Sequence, residues 1–237
     1  MSVSARTLPG IAAQWLAAAA IVLACAGCLT PQGMLASALI PDGTASVLLS
    51  HLQQEEEGNR KLVAQLEAKK DWEGLVKLAD QNLKVDSHNT VWYLIAGYAH
   101  TQMGRHQRAA ESYTEFVRQS PDDPLGWKLL AQSLRDAKQP ERAIQALNNS
   151  IRVRGGTAET YLLLGESYAD LNRDLPAAAA YREAVKRNNE LAQAWFGLGR
   201  ASARLNRRTD FDTAMKALEN LKSPLAKELV ELRPGPR

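Results

Sequence analysis

The chain has 237 residues, a formal net charge of +3, 45% apolar residues and 23% charged residues. That length allows one or two domains, and the small basic excess gives no argument for a nucleic-acid partner. Cys25 and Cys28 are the two cysteines and none follows them, so neither a disulfide framework nor a cysteine metal site can hold the body together.

Residues 1–10 carry one charged side chain, Arg6, and Ile11 to Ala24 is apolar except for Gln14. A basic start followed by an apolar run of this length has the form of an export signal. The run continues as "VLACAGCLT". This stretch resembles a bacterial lipoprotein signal, in which small residues precede a lipidated cysteine. Cys28, preceded by Gly27 and Ala26, is the favoured position, which makes residues 1–27 the signal peptide. Cys25 is the alternative, with Ala24 and Val22 suitably placed but Leu23 a poor fit. Two other readings stay open. Ala24-Cys25-Ala26 or Ala36-Ser37-Ala38 could be ordinary cleavage sites, or Ile11 to Leu29 could remain as an uncleaved anchor of borderline length for about 30 Å of hydrocarbon. Each of them places the body outside the cytoplasm. Ala26 or Leu29 follows the candidate cysteine, where Asp would suggest inner-membrane retention. The lipoprotein resemblance therefore implies the periplasmic face of the outer membrane.

Residues 28–43 contain Pro31, Gly33, Pro41 and Gly43 and read as a tether. Over 44–58, Thr44 can cap a helix whose Val47, Leu48, Leu49 and Leu52 form one apolar side, with a break expected near Gly58.

From there the chain is periodic. Tyr93, Trp127, Tyr161 and Trp195 are spaced 34 residues apart, and Gly97, Ala131, Gly165 and Gly199 follow the same step. Ala109, Ala143 and Ala177 recur further along each unit, followed by Tyr113, Leu147 and Tyr181, and then by Phe116, Ser150 and Ala184. This pattern resembles the tetratricopeptide repeat, a helix pair with an aromatic at position 4, small residues at 8 and 20, and an aromatic at 24. A degenerate first copy has Leu62, Val63, Leu66, Trp72, Leu75 and Ala79. The second helix of the last copy fits with three extra residues around "RRT", giving Phe211, Ala214, Leu218 and Leu221. The resemblance covers 59–222. It implies an all-α fold, a right-handed α-solenoid of about five helix pairs, closed over 223–237 by a capping helix and a tail.

Physical reasons accompany each position. Positions 4, 7, 8 and 11 share one helix face, and small residues at 8 and 20 let the two helices approach closely. Asp123-Pro124, Asp174-Leu175-Pro176 and Ser223-Pro224 supply a cap and an early proline at helix starts.

No catalytic constellation emerges. "AWFGLGRAS" over 194–202 contains G-x-G-x-x-S, but a polar helix-forming stretch precedes it where a dinucleotide site needs a strand, so Gly199 reads as a packing glycine. "GESYA" lies inside a helix and lacks the final glycine of a nucleophile elbow. His100 takes a core tyrosine position and is expected to be buried and hydrogen-bonded, whereas His106 is expected to be exposed. The four histidines lack a paired metal-ligand spacing. The expectation is a non-enzymatic protein without metal or cofactor.

The remaining candidate is a groove, since stacked helix pairs curl around one. The repeat resemblance implies that positions 2, 5, 9, 12 and 13 of each first helix line it. Here these include Tyr98, Thr101 and Gln102; Lys128, Gln132 and Arg135; Glu159, Glu166 and Asp170; and Gln193, Arg200 and Arg204. The carboxylate-clamping pattern of the family's chaperone-binding members is missing. The expectation is an envelope-anchored scaffold for a protein partner in an outer-membrane, pilus, secretion or polysaccharide-export machine. A regulator or accessory subunit of a periplasmic enzyme is the alternative.

Overall fold

A computed structural model describes residues 57–233. The signal peptide, both candidate lipidation cysteines, the tether, the amphipathic stretch up to residue 56 and the last four residues of the tail lie outside the described residues. Every regular element described is helical. The chain divides into one unit ending at Lys69 and another beginning at Lys70.

In the first unit, α1 spans Glu57–Ala68. Gly58, where the sequence suggested a break, is helical in α1, with nothing within 4 Å of where its side chain would start. One glycine costs a helix only about 1 kcal/mol and does not forbid it. Val63 and Glu67 are the buried residues of α1.

The second unit opens with α2 (Trp72–Val85). Four helix pairs follow: α3 (Thr90–Gln102) with α4 (His106–Gln119), α5 (Pro124–Asp136) with α6 (Pro140–Arg154), α7 (Ala158–Asp170) with α8 (Asp174–Arg187), and α9 (Ala192–Arg204) with α10 (Arg208–Asn220). The short α11 (Leu225–Val230) closes the stack. The architecture is an all-α solenoid.

Its period is held by the turn inside each pair. Gly104, Lys138, Asn172 and Asn206 all have positive φ, 34 residues apart. At each, two bonds close the first helix: Gly104 N to Thr101 O with Arg105 N to His100 O, and the corresponding pairs from Lys138, Asn172 and Asn206. This is the left-handed helix stop that glycine and asparagine adopt most readily, and it satisfies the last free carbonyls.

Two expectations need correction. α10 begins 34 residues after α8, as α8 does after α6, so the last pair has no three-residue insertion. Phe211, fully buried, therefore occupies position 20 in place of a small residue, and Met215 occupies position 24. Asp174 is also not a cap. Arg173 precedes the helix without a side-chain cap bond, and Asp174 is already in the first turn of α8. Asp123 does cap as expected, accepting from Leu125 N at 2.8 Å with Pro124 next in line. Ser223 accepts from Leu225 N at 3.3 Å before α11.

The small residues at position 8 were expected to let the paired helices approach, and the structure shows what they make room for, the position-24 aromatic of the same pair. A Cβ on Gly97 would lie 2.5 Å from Tyr113, and one on Gly165 would lie 2.6 Å from Tyr181. In the last pair the arrangement changes. With Met215 at position 24, the cleft at Gly199 is filled by Leu229 of the capping helix, 2.5 Å from a Cβ placed there. The position-4 aromatics reach the loop before their own helix. Trp127 Nε1 donates to Pro121 O and Trp195 Nε1 to Asn189 O, each at 2.7 Å, and Tyr93 OH donates to Ser87 O at 3.3 Å.

Candidate functional site

The first helices α5, α7 and α9 form a wall whose side chains interact across pairs. Arg135 of α5 donates from Nη1 to Glu166 at 2.6 Å and from Nε to Asp170 at 2.8 Å, both on α7. Only 28% of the Arg135 side chain is exposed, and Glu166 is equally covered. Burial pushes the Glu166 carboxyl above its ordinary value, against the opposing pull of Arg135. Arg204 of α9 reaches Asp174 at the start of α8, at 3.4 Å. Its partner is the residue expected to be a cap, which instead lies inside the first turn of α8.

The expected groove residues therefore separate into groups. Arg135, Glu166 and Asp170 come together as one ion-paired cluster, and Arg204 is bound to Asp174. Tyr98 is buried, its ring edge-on to Trp72 at 5.8 Å between centroids, so it belongs to the packing between α2 and α3 more than to the surface. Gln102 and Gln132 are exposed, and Lys128 is half-buried, near enough to Glu159 to lower that carboxyl. Among the described residues Arg200 has no carboxylate within ion-pair distance, although its charge reaches Glu166. Its guanidinium lies over the Phe196 ring at 5.9 Å.

Tyr181 has a place that the sequence did not reveal. It comes from α8, yet its ring is held between Gly165 of α7 and Gly197 of α9. Burial raises its hydroxyl to about 12, and the charges acting on that hydroxyl are Glu166, Arg200 and Arg135, all on the first-helix wall. The ring thus passes between two first helices and brings a hydroxyl to the charged cluster. That hydroxyl has no formed hydrogen bond, although Arg200 is close enough to act on it.

On the second helices, Arg187 proves to be structural. Its guanidinium stacks on Tyr161 at 4.3 Å, donates to the carbonyls of Gly155 and Gly156 at 3.3 and 3.4 Å, and pairs with Glu183 at 2.5 Å. Gln119 does the same two repeats earlier, donating to Ser87 O at 3.1 Å. The histidines also differ from expectation. His100 is half-buried with an unpaired Nδ1, and desolvation together with Arg105 and Arg108 lowers it. His106 is partly covered, 3.9 Å from Asp136. Among the described residues no three His, Cys, Asp or Glu side chains form a metal-binding group, and no helix is long and apolar enough to cross a membrane.

A tetratricopeptide-repeat family profile matches residues 67–124 and 162–211. Over those two stretches the chain is similar to the tetratricopeptide repeat. Solved structures with the same architecture include MamA (22% identity, 72% of this chain and 95% of that one, TM-score 0.61). MamA from residue 41 of Desulfovibrio magneticus RS-1 gives 18% identity, 73% and 93% coverage, and a TM-score of 0.61. YrrB, described as a TPR protein with an unusual peptide-binding site, gives 16% identity, 78% and 97% coverage, and a TM-score of 0.63. At these identities the likeness is one of fold. No curated protein sequence matches the chain significantly. The individual chemistry of this chain's wall lies in Arg135, Tyr181 and Arg200.

Proposed function

We propose that the protein is a non-catalytic scaffold whose first-helix wall receives a segment of a partner protein. The observation that carries this reading is the wall itself, four first helices in 34-residue register presenting Gln102, Gln132 and Arg200 outward from a packed core. Repeat stacks of this kind bury a continuous core and leave an extended binding face. The likeness to YrrB, a protein with a peptide-binding site, supports a peptide-like occupant. Site-specific photo-crosslinking tests it. A photoreactive residue in place of Gln132 is expected to capture a partner in cells, and one in place of the exposed Lys186 of α8 is not. Equal capture from both positions, or capture from Lys186 alone, refutes the wall as the site.

The same reading places the protein on the periplasmic face of the outer membrane through lipid on Cys28, within the assembly of an envelope machine. The lipobox-like "AGC" and Leu29 after the cysteine support it. One acyl chain anchors only marginally, whereas two or more hold stably. Mass spectrometry of the mature N-terminus is expected to show an acylated Cys28. An unmodified start at Gly27 or Leu39 refutes it.

A further inference from the structure

The ion pairs of the wall leave an asymmetry. The carboxylates of Glu166 and Asp170 are matched by Arg135, Asp174 by Arg204, and Asp136 lies next to His106. Glu159 is held low first by a hydrogen bond from Thr157. Among the wall's arginines, Arg200 has no carboxylate within ion-pair distance. It is half-buried, and its side chain is steadied from one side by the face of Phe196, itself only half-buried, against the cluster of Phe211 and Leu229. Tyr181 supplies an independent observation. It is 1% exposed, its hydroxyl is unpaired, and Arg200 is the donor acting on it. A buried hydroxyl without a partner is costly, and a guanidinium has five donors in a rigid fork.

We infer that Arg200, steadied by Phe196 and Tyr181, is the recognition point for a carboxylate of the partner segment. An Asp or Glu side chain accepts the outward N–H groups of Arg200, while an inward N–H can turn to the Tyr181 hydroxyl. An apolar side chain next to that acid covers Phe196. The nearby Glu166 feels the charge of Arg200 but lies beyond ion-pair distance of it, and Arg135 holds its Oε2 at 2.6 Å. A cationic partner residue finds less vacancy, since Glu166, Asp170 and Asp174 are already paired with arginines. The preferred occupant is a protein segment in which an acidic residue adjoins an apolar one. This inference rests on the first-helix wall being the binding face, and it adds which residue chemistry that face selects.

Panning a randomised dodecapeptide display library against the full chain tests it. The native protein is expected to enrich peptides with Asp or Glu beside Leu, Ile, Met or an aromatic. Arg200→Gln should lose the acidic preference and bind an enriched synthetic peptide about tenfold or more weakly, as expected on losing a charge-assisted hydrogen bond. Arg200→Glu should turn the preference towards Lys or Arg, a reversal that mere loss of structure cannot produce. Circular dichroism on each variant confirms folding. If Arg200→Glu does not fold, Arg200→Gln and Arg200→Met carry the test. Peptides enriched equally by native protein and Arg200→Gln overturn the inference. If that binding is lost on Gln132→Arg, the wall survives as the binding face and only the carboxylate site fails. If it is indifferent to Gln132→Arg, or if no peptide is enriched at all, both readings fail together.

Discussion

Replacing Gly197 by alanine puts one methyl group against the ring that joins three helices. An alanine Cβ at that position would sit 2.5 Å from both Cε1 and Cζ of Tyr181. Comfortable carbon contacts lie at about 3.5–4 Å, so the ring must retreat by about 1 Å. Its other face meets Gly165, where an added Cβ would lie 2.6 Å from Cδ1 and Cε1. The ring therefore has backbone on both sides, and α7 and α9 must separate. Overpacking of this kind costs about 1–3 kcal/mol. Alanine also gains about 1 kcal/mol of helix propensity over glycine. The expected net loss is about 0–2 kcal/mol, a fall of up to several degrees in melting temperature at about 2–4 °C per kcal/mol. Gly165→Ala should behave alike, and the double variant should lose more than the sum by at least about 0.5 kcal/mol, because each substitution blocks the retreat needed by the other. In a Tyr181→Ala background the sign should reverse, and Gly197→Ala should stabilise by about 0.5–1 kcal/mol. Urea melts of all these variants provide the test. A Gly197→Ala protein that melts above the native one, or a double variant whose loss is no more than the sum of the single losses, refutes the sandwich.

Arg187→Met should destabilise by about 1 kcal/mol and speed amide exchange around Gly155 and Gly156, whereas Lys186→Leu should stay within about 0.5 kcal/mol, both read by melts and hydrogen exchange. Arg135→Met leaves two carboxylates without their cation and should cost about 1–3 kcal/mol in the same melts, with Arg135→Glu worse. Burial raises Glu67 to about 7 in the folded protein, so its contribution to stability is full below the unfolded value near 4.5 and is lost as pH rises through about 7. Glu67→Gln should therefore flatten the stability–pH curve over that window and raise stability at pH 8. His100 is lowered when folded, so its effect has the opposite slope, with stability falling as pH drops below 6.5, and His100→Gln should remove that acid-side loss in pH-dependent melts.

The solenoid was readable in the sequence because its packing repeats. Tyr113 and Tyr181 need a glycine opposite, and Gly97 and Gly165 stand at the matching position. What misled the reading of the last pair was the same rule applied too strictly. Phe211 stands where a small residue was expected, so three residues were inserted to slide Ala214 into its place. The structure keeps the register and changes the filling, with Leu229 from the capping helix occupying the cleft at Gly199. Register is fixed by the turns, where Gly104, Asn172 and Asn206 carry the positive φ, and Lys138 adopts it as well at 62°. Glycine and asparagine at one period are visible in a sequence. The lysine among them conceals the rule, because its conformation is imposed by the bonds of Lys138 N to Arg135 O and Gln139 N to Leu134 O.

The wall was less readable, for a different reason. Periodicity says which residues share a face, but not which of them already hold one another. Arg135, Glu166 and Asp170 look like three contacts waiting for a partner when read along the chain. In space they are one bridge from α5 to α7, with about a quarter of the arginine side chain left to solvent. Reversing Arg135 is consequently a poor probe of binding, since it places a third carboxylate beside two and breaks the bridge from α5 to α7. Reversing Arg187 is an equally poor control, because it releases the loop at Gly155 and Gly156. The informative positions are those the fold uses least, Gln132 on the wall and Lys186 behind it, whose ion pair to Glu183 is exposed and 3.9 Å long, and Arg200, which the fold holds in place without a direct ion pair among the described residues. A charge held by an aromatic face and left without a counter-ion keeps its electrostatic attraction for an incoming group, whereas a paired one has to break its own bond first. Selectivity along this wall is therefore expected to follow the unpaired arginine and not the total charge of the face.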